Sequence, residues 1–371
     1  MSDLLPFLKD LISCPGLSGS ESQAAQIITA RWQPLVHELS LSRLGSLHGL
    51  CRGTGREPRP TLMVAAHMDA VGLMVTGLTD GFLHITQIGG LDARILPGTL
   101  VQVHATGRAG QPALPGVVVQ RPARLLPPEI GKEVVPLEYL LVDTGLPPHR
   151  TADLVRIGDR ISFANPPLEL GSELLSGHSL DNRASVGALT VCLEELRSRP
   201  HAWDLWAVAT VQEEINLIGA ATSAFQLRPS MAVVVDATFA KGPGTRDWNT
   251  FSLGKGPTLC MGPNIHPALF RSFQELADRL EIPYSVEITA ANSGTDAVTI
   301  QLTAEASLPC CWAFPFATCI LRWRSPRSRI SSAPGGCWRS SSPAWTLTSW
   351  TISAGRTEAP CQNCLTPRSN S

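Results

Sequence analysis

The sequence predicts an α/β fold: a mixed sheet flanked by helices and interrupted by a small inserted β-barrel domain. Three observations lead there. The runs "TLMVAAHM" (61–68), "LWAVATVQ" (205–212) and "MAVVVDA" (231–237) have the length and apolar continuity of buried strands. Helical patterns alternate with them: "ESQAAQIITARWQPL" near the start, "RASVGALTVCLEELRSR" at 183–199 and "HPALFRSFQELADRLEI" at 266–282. Residues 73–165 differ, being short β segments punctuated by Gly and Pro without a clear helical pattern.

This divides the chain into a catalytic α/β domain in two parts, 1–72 and 166–305, with the β domain 73–165 between them and a tail at 306–371. With 371 residues there is ample chain to bury a core. The formal net charge is −1 with both signs interspersed, so no concentrated basic face is expected and nucleic acid is excluded as a main partner. The start, "MSDLLPFLKDLISCPGLSGSE", mixes acids among apolar residues and reads as a helix and loop, not a signal peptide. Runs of about 18 apolar residues are absent, so no membrane span is expected. Before residue 306 only Cys14, Cys51, Cys192 and Cys260 occur, too scattered for a disulfide framework. A cytoplasmic location is the expectation.

Four places put metal-ligating side chains at or just after strand ends. His67 and Asp69 close the first strand; residues i and i+2 share a face, so His67 can bind a metal while Asp69 takes its other ring N–H. Asp181 lies in the turn "GHSLDNRAS" that opens the 183–199 helix. Glu213 and Glu214 follow the strand "AVATVQ", and Asp236 ends "AVVVD". Singly, each has a plain reading: a hydrogen-bonded pair, a helix N-cap, a solvated strand end, a loop residue. Together, at strand ends that line the crevice of an open α/β sheet, they make a metal site. One His with several carboxylates suits zinc, cobalt or manganese. Two ions roughly 3.5–4 Å apart with a bridging carboxylate would make an amide-hydrolysing site. Of the adjacent glutamates, one can ligate and the other can move a proton. A glycosidase pair is disfavoured, because such carboxylates flank the bond at ~5–9.5 Å and sequence neighbours rarely do.

The segments "AAHMDAVGLMV", "SLDNRASVGAL", "VATVQEEINLIGA", "VVVDATFAKG", "GKGPTL" and "SGTDAVTIQLTAE", with "GLSGSE" near the start, resemble the tetrahedral aminopeptidases over roughly residues 5–305. These are also described as glutamyl or deblocking aminopeptidases, and some members as endoglucanase-type proteins. The resemblance implies a phosphorylase/hydrolase-like metallopeptidase domain that removes N-terminal residues from peptides, using two divalent metal ions per subunit. It implies that His67 and Asp236 serve one ion, Glu214 the second, and Asp181 bridges. It implies further that Glu213 is the general base toward a metal-bridging hydroxide and that Asp69 supports His67. The inserted β domain would mediate self-association into a dimer or dodecamer.

The sequence departs from the family pattern at Ala70, where the family usually has Glu, at Ile215-Asn216 after the glutamate pair, and above all at its end. From Ala306 to Ser371 there is one acidic residue, Glu358, and no lysine, yet the stretch holds six of the ten cysteines and five of the nine tryptophans. The family's remaining histidine ligand is missing, since no histidine follows His266. Regrouping the permitted codons by one base turns Cys311 and Trp312 into Leu and Ala313 into Gly. It also allows His at Ile320, within a "Leu-Leu-Gly-Ile-Pro…Arg-Tyr-Met-His-Ser-Pro-Val-Glu" segment typical of the family. Residues 306–371 are therefore read as an out-of-frame translation, with the break between Glu305 and Ala306. On that reading Cys361-x-x-Cys364 is not a zinc knuckle, and the chain as written is a damaged, poorly active enzyme. An inactive subunit that keeps the fold is the rival reading, and a cellulase a weaker one.

Overall fold

The structure is a computed structural model. It describes residues 4–303 except 109, 131–132, 172–173 and 246, together with 308–316 and 320–322. Most of the 306–371 tail, including Cys361 and Cys364, lies outside the described residues.

Helices α1 (Leu4–Ser13) and α2 (Ser22–Trp32) precede strands β1 (Glu38–Leu41), β2 (Leu47–Cys51) and β3 (Thr61–His67). The chain then builds β4 (Gly72–Thr79), β5 (Phe82–Ile88), β6 (Leu100–His104), β7 (Leu114–Gln120), β8 (Leu140–Asp143), α3 (Pro148–Leu154) and β9 (Arg160–Phe163). The short strands β10 (Leu168–Leu170) and β11 (Leu174–Ser176) lead to α4 (Leu180–Leu196), β12 (Asp204–Thr210), α5 (Glu213–Asn216), α6 (Ile218–Leu227) and β13 (Met231–Phe239). Next come β14 (Thr258–Met261), α7 (Pro267–Arg279), β15 (Ser285–Ile288), α8 (Ala297–Gln301), β16 (Leu308–Phe316) and β17 (Ile320–Arg322).

One eight-stranded sheet runs β1-β2-β12-β3-β13-β16-β14-β15: β12, β3, β13 and β16 are parallel at its centre, β2 and β14 join them antiparallel, and the edge pairs are antiparallel at β1-β2 and parallel at β14-β15. The central strands are continuous apolar runs because helices cover both faces: Leu62 through Ala66 are all buried. Helix α4 packs on β3, and α1 and α2 pack on α4. There the fully buried Trp32 finds a partner for its one polar atom by donating Nε1–H to Thr190 Oγ1 at 2.8 Å. On α7 the buried side chains are Leu269, Phe270, Phe273, Leu276 and Ala277, the spacing of one helix face laid on the sheet.

Strands β4-β5-β8-β7-β6-β9 close into a barrel. Alternate residues point inward and fill it, among them Leu73 and Val75, Val101 and Val103, and Leu140 and Val142. Among its described residues the insert contains one α-helix, α3, which the Gly/Pro punctuation hides: Pro147 and Pro148 read as a break but serve as N-cap and first helical residue. Only four residues separate His67 at the end of β3 from Gly72 at the start of the barrel. Among the described residues no helix is long and apolar enough to cross a membrane.

Candidate metal centre

Strands β12, β3 and β13 are parallel neighbours, so their carboxyl ends share one edge of the sheet. Thr210, the last residue of β12, pairs with His67, the last of β3. The β13 register, Met231↔Leu62 through Val234↔Ala65, carried on in phase, brings Asp236 level with His67. Asp236 does not end its strand as the sequence suggests; β13 continues to Phe239.

Two tight turns deliver the remaining ligand candidates. After β12, Gln212 adopts a left-handed backbone (φ 55°), which swings Glu213 and Glu214 into the four-residue helix α5, and Leu217 (φ 59°) ends it. Before α4, Ser179 is also left-handed (φ 64°), and Asp181 (ψ 107°) interrupts the helical path, so regular helix begins at Arg183. Ser179, not Asp181, stands at the N-cap position. Non-glycine residues in the left-handed region cost of order 1–3 kcal/mol each and gather where a site must be shaped.

All six residues singled out in the sequence come together. His67 Nε2 lies 3.3 Å from Asp181 Oδ1, 3.7 Å from Glu213 Oε2 and 3.7 Å from Asp236 Oδ1. Its other nitrogen, Nδ1, faces the Asp69 carboxylate at 3.5 Å and the Asp69 carbonyl at 3.3 Å. Two sets of potential ligand atoms result, His67–Asp181–Glu214 and His67–Glu213–Asp236, each with its atoms within 4.8 Å of one another. Asp69 belongs to neither set; its carboxylate accepts the Glu213 N–H at 3.0 Å and the Glu214 N–H at 3.2 Å.

The electrostatics are those of crowded acids. Burial pushes the Glu213 carboxyl up to about 9, with Asp236, Asp296 and Glu214 adding repulsion against the pull of His67. Burial likewise pushes Glu214 up to about 7 and raises Asp236. For His67 burial favours the neutral ring, yet hydrogen bonds to Asp181, Asp236 and Asp69 outweigh it and raise its pKa well above the ordinary value. Asp69 is held below the usual carboxylate range: burial would raise it, but His67, Ser18 and the Glu213 N–H stabilise its charge. Buried acids that raise one another in this way are relieved by a cation.

Sequence reasoning misses Asp296. It is fully buried, accepts the Thr210 hydroxyl at 2.6 Å, and is pushed up to about 7 by burial. Its signal is the segment "SGTDA", but it precedes a short helix instead of closing a strand, so the strand-end criterion passes over it.

Comparison with known proteins gives the family and the fold. The M42 glutamyl aminopeptidase family model matches residues 45–316. The lysyl aminopeptidase of Pyrococcus furiosus is 32% identical over 308 residues, covering 80% of this chain and 85% of that protein. Among solved structures, the TET aminopeptidase of a marine sediment archaeon of the Thaumarchaeota superposes with a TM-score of 0.81 at 23% identity, covering 96% of this chain and 98% of that one. The Pyrococcus horikoshii TET1 peptidase, which can assemble into a tetrahedron or a large octahedral shell, superposes with a TM-score of 0.73 at 27% identity, covering 86% and 94%. The chain belongs to the M42 glutamyl aminopeptidase family, and is a peptidase of the metal-dependent aminopeptidase kind.

Proposed function

We propose that the chain is a subunit of a dinuclear aminopeptidase that removes N-terminal residues from peptides. The observation that carries this reading is the convergence of His67, Asp181, Glu213, Glu214 and Asp236 at one sheet edge with ligand atoms in two overlapping sets. An imidazole nitrogen with several carboxylate oxygens suits zinc, cobalt or manganese. In the proposed assignment His67 and Asp236 would hold one ion, Glu214 would hold the other, and Asp181 would serve both. Two bound ions would polarise the scissile carbonyl as Lewis acids. Asp69 orients the His67 ring and anchors the turn that carries both glutamates. Glu213, once the charge of bound ions has displaced its own proton, would take a proton from the water that attacks the first peptide carbonyl and return it to the leaving amine. The ring of carboxylates attracts a free α-ammonium, so an unblocked N-terminus is the end presented to the site.

Self-association through the inserted barrel is part of the proposal. Ile95, Leu100, Leu125, Val134 and Ile157, all in the insert, are large apolar side chains left exposed, and such surface is suited to contacts between copies. A cytoplasmic location is part of the proposal, and Cys14, Cys51, Cys192 and Cys260 are buried or half-buried.

We further propose that residues 306–371 are out of frame and that the chain as written is damaged. Strand β16 runs parallel to β13 and leaves the sheet at the edge where Asp236 sits. Position 320, where the restored frame admits histidine, pairs with Ser176, five residues before Asp181. Those placements support a ligand from this segment, and the sequence supplies none. The test compares the chain as written with a frame-restored chain for metal content and for hydrolysis of aminoacyl p-nitroanilides. The restored chain is expected to bind two ions and turn over; the chain as written is expected to bind the second weakly and turn over little. Turnover by the chain as written with two ions bound overturns the damage reading. A restored chain that binds both ions and cleaves nothing favours the inactive-subunit reading.

A further inference from the structure

The segment Cys14–Glu21 lies between α1 and α2 and contributes none of the metal-ligand candidates, yet its hydrogen bonds lead to the centre from three directions. Gly16 and Ser18 pair with the residue after Asp69: Ala70 N–H donates to the Gly16 carbonyl at 3.1 Å and Ser18 N–H to the Ala70 carbonyl at 3.2 Å. The Ser18 hydroxyl, buried, donates to Asp69 Oδ2 at 2.6 Å. Glu21 accepts the Gly19 N–H at 2.6 Å and the N–H of Gln212 at 3.3 Å, and Gln212 is the left-handed residue that aims Glu213.

The segment is clamped from behind by Arg183, which is fully buried. Its guanidinium donates to the carbonyls of Leu11 (2.6 Å) and Cys14 (2.7 Å) through Nη1, Pro15 (3.1 Å) and Gly16 (3.2 Å) through Nη2, and Met68 (2.9 Å) through Nε. The planar fork thereby ties the end of α1, the segment and the strand end next to Asp69 into one unit. Gly16 (φ 140°) is required there, since a Cβ would collide with the guanidinium.

We propose that Ser18 and Glu21, carried on a strap clamped by Arg183, are positioning residues: they fix Asp69 and the Gln212 turn, and through them the His67 ring and both glutamates. The inference rests on the metal-centre assignment above. Asp69 has four partners, Ser18, His67 and the N–H groups of Glu213 and Glu214. Without the Ser18 donor the carboxylate keeps the other three but loses its tie to the strap, and the reference that it gives the imidazole and the glutamate turn is loosened. Groups that orient a ligand from behind are typically worth about 10–100-fold in metal affinity.

The experiment titrates the full chain with Co2+ and follows the ion's visible absorption, with thermal unfolding of the metal-free chain measured in parallel. Ser18→Ala and Glu21→Met, which removes the acceptor of the Gly19 and Gln212 N–H groups, are each expected to weaken Co2+ binding by roughly 10-fold or more and to shift its absorption bands. Ser18→Thr, which keeps the hydroxyl, is expected to stay near the parent. Arg183→Lys is expected to weaken binding too; should it fail to fold, the Ser18 pair still decides. Parental affinity and spectrum in Ser18→Ala, whatever its thermal midpoint, overturn the proposal, as does a Ser18→Thr chain that binds as weakly as Ser18→Ala. His67→Ala separates the two levels: if it leaves Co2+ binding unchanged, the centre itself has been misassigned, whereas if it abolishes binding while Ser18→Ala does not weaken it, only the strap fails.

Discussion

Thr210 donates its hydroxyl to Asp296 across 2.6 Å, joining the last residue of β12 to the loop that opens α8. Both residues are fully buried, and the other Asp296 oxygen, Oδ1, has no partner among the described residues. Thr210→Val keeps the shape and removes the donor, leaving a buried carboxyl unsatisfied. The expected cost is about 1–3 kcal/mol, read as a lowered denaturation midpoint at unchanged slope. A variant as stable as the parent would mean that water or a rotated Asp296 replaces the bond.

Glu213→Gln keeps size and removes the proton-accepting oxygen. In a frame-restored chain it is expected to lower kcat by roughly 10²–10⁴-fold while metal content stays the same. Parallel loss of metal would instead make Glu213 a ligand, a role its place beside His67 and Asp236 also permits.

Binding of the divalent ion should release protons. Glu213, pushed up to about 9, and Glu214, pushed up to about 7, hold protons near neutrality in the metal-free chain; Glu214 must lose its proton to ligate, and the charge of the ions beside Glu213 drives its proton off too. Affinity is therefore expected to tighten as pH rises from about 6 to about 8. Calorimetry in buffers of different ionisation enthalpy should show the release, and a pH-independent affinity would contradict it. The same shifts set a stability effect: carboxyls raised on folding make the metal-free fold less stable as pH climbs through that range, and chelation should cost most at its upper end.

His48 provides a separate pH test away from the centre. Burial lowers its pKa to about 4 from the ordinary 6.5, and its Nε2 lies 2.9 Å from Ser223 Oγ. The folded chain keeps this ring neutral while the unfolded chain protonates it below 6.5, so stability is whole above 6.5 and is lost as pH falls toward about 4. The slope is about 1.4 kcal/mol per pH unit. His48→Gln, which preserves a polar atom near Nε2, should flatten the fall in unfolding free energy, read from urea titrations between about pH 6.5 and about pH 5, by up to that slope.

The parts legible in the sequence are those whose signal is local. Strands β3, β12 and β13 are apolar runs, and the polar residues after each run stand out, even though β13 runs on past Asp236 to Phe239; Asp181 stands out in the turn that opens α4. That is why His67, Asp181, Glu213, Glu214 and Asp236 can be grouped from the order of residues alone. Helix α3 is not legible because prolines open it and it spans only seven residues. Asp296 and Ser18 are not legible as site residues, because each acts through a contact with a partner 86 or 51 residues away, and neither sits at a strand end. The left-handed turns at Gln212 and Leu217 carry no glycine to announce them. Tertiary contacts, not local preference, hold them.

Strand β16 lies between β13 and β14, in the interior of the sheet, although it is nearly the last strand in the chain. On the ribosome, β14 and β15 emerge before the strand that joins them to the rest of the sheet. Until residues 308–316 appear, β13 on one side and β14 on the other wait with open hydrogen-bonding edges. The keystone of this sheet is thus laid late, and the reading-frame break proposed at residue 306 would fall just before it.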